Sequence, residues 1–155
     1  MGGFQQGVLL ESTLAVALTL RGARVDTLLC DSFLPACKLT EIDAVSPEDL
    51  LSMHSQPRCF TCHPAGKAMF SPLRLPIYWF SRLVPKEKRQ MAQELSASIP
   101  SKQIGDYMLD GLAVGEHAKA GTLCYFGRGD LQNEPMAESI LRHYLSAALR
   151  SGQTA

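Results

Sequence analysis

Residues 8–30 carry the pattern that most restricts the fold: an apolar helix, a glycine, and a short apolar extended run. Leu10, Leu14, Ala17 and Leu18 fall at i, i+4, i+7 and i+8, which puts them on one face of a helix over residues 8–21. Gly22 stops that helix in the manner of a left-handed C-cap. Ala23-Arg24-Val25-Asp26-Thr27-Leu28-Leu29-Cys30 then reads as a strand, broken by Asp31-Ser32. Helix, tight turn and strand make half of a βαβ unit, so an α/β fold with a parallel sheet is expected. The unit's first strand belongs before residue 1. Met1-Gly2-Gly3-Phe4-Gln5-Gln6-Gly7 reads instead as the loop after a strand, so the expectation is a fragment that starts inside a longer protein.

The remainder is helix-rich. Ser46-Pro47-Glu48-Asp49 is a helix start, with Ser46 as cap and Pro47 at the first helical position, and that helix ends near Met53. Pro57, Pro64, Pro72 and Pro76 mark 57–76 as loop-rich, with one helix over 65–70. Ile77-Tyr78-Trp79-Phe80 reads as a strand or a buried turn. A helix from Pro85 to Ala97 sets Met91, Ala92, Leu95 and Ile99 opposite a charged face, Lys86 to Arg89. Another over 112–126 has the stripe Val114, Ala118, Gly121 and Tyr125, whose small members let a second backbone approach. The last begins near Pro135, with Leu141, Tyr144, Leu145 and Ala148 inward. One clear strand cannot satisfy its own backbone groups, so its partners lie hidden in 33–80 or outside the sequence.

Charge and hydropathy narrow the function classes. Lys plus Arg equals Asp plus Glu, 15 against 15, and no basic block argues for nucleic acid. The most apolar stretch, Val8 to Leu20, contains Glu11, Ser12 and Thr13, so no membrane span is expected. It also lacks a basic leader and a cleavage site, which points to the cytoplasm.

In that compartment the five cysteines are expected to be reduced or metal-bound. Cys59 and Cys62 form a CxxC followed by His63, and Cys30 and Cys37 are a looser pair. Four thiolates suit one tetrahedral zinc, with His63 as a substitute ligand, and such a site would order an irregular segment. The spacing leaves three readings open: a zinc or iron–sulfur site, unligated cysteines, and a redox pair. A small zinc-stapled binding or scaffold module without catalysis is the corresponding function.

Further candidates are few. Gln5 and Gln6, among glycines ahead of a helix, can hydrogen-bond sugar hydroxyls. Glu116-His117 opens a helix after Gly111 and Gly115, where a histidine can act as general base. Arg128, between Gly127 and Gly129, can grip an anion or cap the preceding helix's carbonyls.

Phe4-Gln5-Gln6-Gly7, Leu10-Glu11, Leu14-Ala15 and Arg21-Gly22-Ala23-Arg24-Val25, leading to Leu29-Cys30-Asp31 and Leu34-Pro35-Ala36-Cys37, resemble the opening of bacterial capsular and surface-polysaccharide biosynthesis glycosyltransferases. Gly115-Glu116-His117, Ala120-Gly121 and Tyr125-Phe126-Gly127-Arg128-Gly129 resemble them too, so the likeness runs from residue 3 to about 148. The resemblance implies a two-domain fold with two Rossmann-like halves around a cleft. Residues 1–155 would be a truncated N-terminal, acceptor-side half, inactive alone, with the C-terminal donor-binding domain absent. A sugar or glycan acceptor would meet Gln5, Gln6 and Arg128, with Glu116 and His117 as catalytic candidates. The nucleotide sugar would arrive through the missing domain. Cys124 stands where an arginine is expected in relatives, which puts that position's role in doubt.

Overall fold

The computed structural model describes residues 5–53 and 56–152, the side chains of Gln5 and Gln6 excepted. The chain forms two compact units, one from residues up to Phe33 plus Pro57–Leu83, the other from Leu34–Gln56 plus residues from Val84 on. It is a helix-rich α/β protein whose described strands make one two-stranded parallel sheet. No helix among the described residues is long and apolar enough to cross a membrane.

In the first unit, α1 (Gln5–Leu20) ends as its sequence predicts. Gly22 takes φ +81°, Gly22 N–H donates to Thr19 O, and Ala23 N–H donates to Leu18 O, the paired bonds of a Schellman cap. β1 (Thr27–Leu29) then pairs in parallel with β2 (Ile77–Trp79), in the register Thr27 to Ile77 and Leu29 to Trp79. The second strand thus lay within 33–80, and the alternation of its side chains decides the packing. Leu29, Ile77 and Trp79 join a core with Val8, Ala15 and Phe70, while Tyr78 points to the other, open face. That core reverses the expected orientation of α1. Val8, Ser12 and Ala15 are inward, and Leu10, Leu14 and Leu18 are exposed, Leu10 by 71%. The helix is apolar on nearly every side, so its apolar stripe does not select a face; Ser12 is tolerated inside because its hydroxyl donates to Leu9 O.

α3 (Cys59–Phe70) begins six residues before the expected 65, with Pro64 inside it. Proline there removes the bond to the carbonyl of Phe60, a residue 78% exposed, and the helix continues to bury Phe70. A short 3-10 helix (Ser71–Leu73) leads to β2, and α4 (Phe80–Leu83) follows it directly. Asp31, just past β1, accepts from both the backbone N–H and the hydroxyl of Ser81, tying the carboxyl ends of the two strands together.

The second unit is a helical cluster. α2 (Pro47–Ser52) carries the cap its sequence announces, Asp49 N–H donating to Ser46 Oγ at 3.2 Å, and buries Leu50. α5 (Lys86–Ser98) buries Ala92 and Ser96 but leaves Met91 exposed. α6 (Val114–Phe126) and α7 (Ala137–Gly152) form the main packed pair. Tyr144 of α7 lies against Gly121 so closely that a Cβ there would stand 2.4 Å from its ring; a side-chain ring, not the expected second backbone, takes the space the glycine leaves. α7 starts two residues after Pro135 because Met136 takes a left-handed φ of 60°.

Side chains, rather than periodic packing, hold segment 34–56. Tyr125 O accepts from Ile42 N–H at 2.9 Å and its hydroxyl donates to Val45 O at 2.7 Å. The Tyr144 hydroxyl donates to Cys37 O, and Pro35 O accepts from Gln56 Nε2 and His143 Nε2. Burial first, and the negative charges of Glu48 and Asp49 second, push the Tyr125 hydroxyl up to about 12.

Arg142 does comparable work at the other end of α5. Its Nη1 donates to the carbonyls of Ser96, Ala97 and Ile99, and Nη2 to Ser101 Oγ and Glu138 Oε1. A cation on the last carbonyls of a helix satisfies orphan acceptors and complements the dipole. Replacing Arg142 by Ala is expected to cost about 2–3 kcal/mol in chemical denaturation, with Lys restoring only part, because one ammonium cannot span five acceptors.

A raised tyrosine pKa stabilises the fold fully below the unfolded value of 10.0, and that contribution is lost as pH climbs towards about 12. Stability should therefore decline between those limits. Tyr125→Phe, about 1–2 kcal/mol less stable at neutral pH, should decline less steeply in alkaline denaturation.

Candidate functional site

Glu116, a residue the sequence designates, lines a sizeable cleft. The cleft, in the second unit, measures about 590 Å³ and takes Lys102, Asp106, Tyr107, Glu116, Lys119 and Leu141 into its wall. Three successive pieces of chain build most of it, and Leu141 of α7 completes the wall. The 3-10 helix Ser101–Asp106 follows α5 after Pro100, and Arg142 holds its first residue through Ser101 Oγ. A two-residue turn then reverses the chain, Leu109 and Leu112 exchanging both backbone bonds around Asp110 (φ 48°) and Gly111 (φ 82°). Two left-handed residues in succession define a type I′ turn, which Asp-Gly adopts readily. α6 follows at once, with Glu116 in its first turn, where the helix dipole favours a carboxylate.

Gly115 sets the depth of the cleft. A Cβ there would sit 1.8 Å from Ile104 O and 2.7 Å from Tyr107 N, so only hydrogen fits between α6 and the 3-10 helix. Gly115 N–H donates to Tyr107 O at 2.9 Å and locks that contact. The Lys119 stem reaches Gly105 across the gap. Among the described residues no ion pair engages Lys102, Asp106, Glu116 or Lys119. The cleft thus offers two carboxylates that accept, two ammonium groups that donate, and apolar surface from Tyr107 and Leu141, a combination suited to a polyhydroxylated ligand with an apolar ring face.

The other designated residues are dispersed. His117 is exposed on α6 and is not in the cleft wall. Arg128 closes α6 with its backbone N–H on Leu123 O, while its guanidinium pairs with Glu134 at 2.8 Å in its own loop. Gln5 and Gln6 are the first residues of α1, not loop residues, and their side chains lie outside the described residues. Cys59 and Cys62 occupy the first turn of α3, half-buried, and Cys30 follows β1 in the same unit. Cys37 belongs to the other unit, and the His63 ring stands edge-on to Trp79 at 5.1 Å. No group of three or more His, Cys, Asp or Glu among the described residues is placed to hold a metal ion. Sequence reasoning missed Lys102, Asp106 and Lys119; the Asp110-Gly111 dipeptide was the available signal that the chain folds back there.

No family model, curated protein or solved structure matches the chain.

Gly115→Ala is expected to lose about 3 kcal/mol or more in thermal unfolding, since the obstructing atoms are backbone and cannot rotate away. Gly129→Ala, where nothing lies within 4 Å, is the matched control and should stay near neutral.

Proposed function

We propose that the chain is the acceptor-side part of a glycosyltransferase in surface-polysaccharide biosynthesis, with the Glu116 cleft as its sugar contact. The observation that carries the reading is the cleft's composition: Asp106 and Glu116 beside Lys102 and Lys119, over the apolar surface of Tyr107 and Leu141. The resemblance of Gly115-Glu116-His117 and of Tyr125 to Gly129 to such enzymes supports it. So does the parallel β1–β2 pair, the smallest element of a Rossmann-like half.

In this reading Glu116 accepts a hydrogen bond from an acceptor hydroxyl and can take its proton as the sugar is transferred. Lys102 and Lys119 donate to neighbouring hydroxyls and fix the ring. The nucleotide sugar is supplied through a separate donor-binding domain. The rival is the zinc-stapled binding module that the sequence suggested from Cys30, Cys37, Cys59 and Cys62; what speaks for it in the first unit is that Cys59 and Cys62 stand one helical turn apart. Protein purified without added metal separates the two: one zinc per chain, with unfolding by a chelator, identifies the staple.

Titration of the full chain with a panel of mono- and oligosaccharides, followed by NMR, tests the proposal. Saturable shifts should cluster at Tyr107, Glu116 and Lys119. Glu116→Gln should weaken binding about ten-fold, the scale of one hydrogen bond to a charged group, with only a small fall in melting temperature from the lost charge at the start of α6. Absence of any saccharide response at these residues contradicts the reading.

A further inference from the structure

We propose that α1 docks the first unit on the surface of an anionic lipid bilayer, its leucines entering the boundary between headgroups and acyl chains. Val8, Ser12 and Ala15 turn inward, while Leu9, Leu10, Leu14, Val16, Leu18 and Leu20 stay exposed, Leu20 by 82%. At about 3.6 residues per turn, these exposed positions, with Thr13 and Ala17, cover more than half of the helix's circumference. No Asp, Glu, Lys or Arg stands on that face; the charge of the helix, Glu11, is half-buried at its border. The open side of a surface helix is ordinarily polar, and an apolar patch this broad marks a docking surface.

What the face lacks and what borders it together select its occupant. Ser12 and Thr13 donate their hydroxyls to Leu9 O, and Thr19 donates to Ala15 O, so the helix turns its own polar groups back on its own carbonyls. Protein interfaces carry about one hydrogen bond per 100–200 Å². A face with no donor to spare suits acyl chains, which offer no partner and leave any unsatisfied group costly. The border supplies charge. The C-terminal end of α1 lines a shallow groove through Val16 and Leu20, with Leu73 and Leu75 opposite. Arg21 follows Leu20, and Arg74 stands exposed between half-buried Leu73 and Leu75, its backbone left-handed at φ 54°. Among the described residues no ion pair engages Arg21 or Arg74, whereas Arg24 pairs with Asp26. The first unit as a whole holds Arg21, Arg24, Arg58, Lys67, Arg74 and Arg82 against Glu11, Asp26 and Asp31. Cations beside an apolar helix face complement an anionic headgroup layer. A second copy of the chain would bring the same cations and no anion to meet them. Crossing a bilayer takes about 20 apolar residues, so the 16 of α1 lie along the surface.

Co-sedimentation of the full chain with vesicles of phosphatidylcholine and phosphatidylglycerol in equal parts tests this. Saturable binding is expected, weaker by about ten-fold or more on phosphatidylcholine alone. Leu10→Gln combined with Leu14→Gln, both on the exposed face, should weaken binding to the mixed vesicles about ten-fold or more. Arg21→Gln combined with Arg74→Asn, asparagine being suited to left-handed backbone, should remove the preference for the anionic lipid. Should either pair fail to fold by circular dichroism, the wild-type chain decides the matter. Nitroxide-labelled lipid in mixed bicelles must then broaden the methyl NMR signals of Leu10, Leu14 and Leu20 well before those of buried Leu29. The proposal is overturned by absence of vesicle binding, by equal binding to the two lipid compositions, or by binding that either folded pair leaves unchanged. A lipid-free dimer in sedimentation velocity that the leucine pair dissociates also overturns it, and gives the face to a second copy.

Discussion

The Arg142 guanidinium is the interaction on which the second unit depends. It stands at the junction of α5, the following 3-10 helix and α7, and takes the carbonyls that α5 leaves open. A helix end without partners is costly to bury, and here one side chain satisfies several acceptors while remaining only 26% exposed. Glu138 neutralises it from the same helix one turn away; the hydroxyl of Ser101 first, and Arg142 second, hold that carboxyl below its usual range. The Glu116 cleft and the cleft between α5 and α7 each have one wall set by this junction. Lys102 and Asp106 belong to the 3-10 helix it anchors, and Gln93 and Ser96 to the α5 end it caps.

A second set of polar bonds explains how a segment with little periodic pattern becomes ordered. Residues 34–56 contribute Leu50 and Val45 to the core, but α2 is only six residues long. Tyr125 and Tyr144 supply what the pattern lacks, each burying a ring and directing its hydroxyl at a backbone carbonyl. Ordering this stretch was the task the sequence suggested for zinc. Tyrosines do so in the structure, and the cysteines keep their own question, answered by metal analysis.

Much of the architecture was legible where local chemistry is decisive. Gly22 and Ser46 mark their helix ends through geometry that few other residues provide. The Val114, Ala118, Gly121 and Tyr125 stripe faces inward because its outer side is polar. α1 was legible as a helix but not in orientation, since leucines surround it and only the sheet selects Val8 and Ala15. α3 was legible only from residue 65, because Pro64 reads as a breaker; in the structure it stands inside the helix and costs one bond, to the carbonyl of exposed Phe60. The site was legible only at Glu116. Lys102 and Asp106 reach it through a 3-10 helix and a tight turn, tertiary placements without periodicity. Arg142 was invisible for the same reason: apart from Glu138 on its own helix, its acceptors lie more than forty residues away.

The account's central claim is that the 3-10 helix, and with it the Glu116 cleft, is held in place from Arg142. Native-state hydrogen exchange on the wild type and on Arg142→Met tests this most directly, read at the amides of Gln103, Tyr107 and Gly115, which close the bonds of that region. The account expects these amides to exchange through a local opening at much lower free energy in the variant, while amides of α6 from residue 118 on and those of α7 fall only by the global loss. Uniform loss of protection across the second unit, or unchanged protection at the three amides, would contradict it.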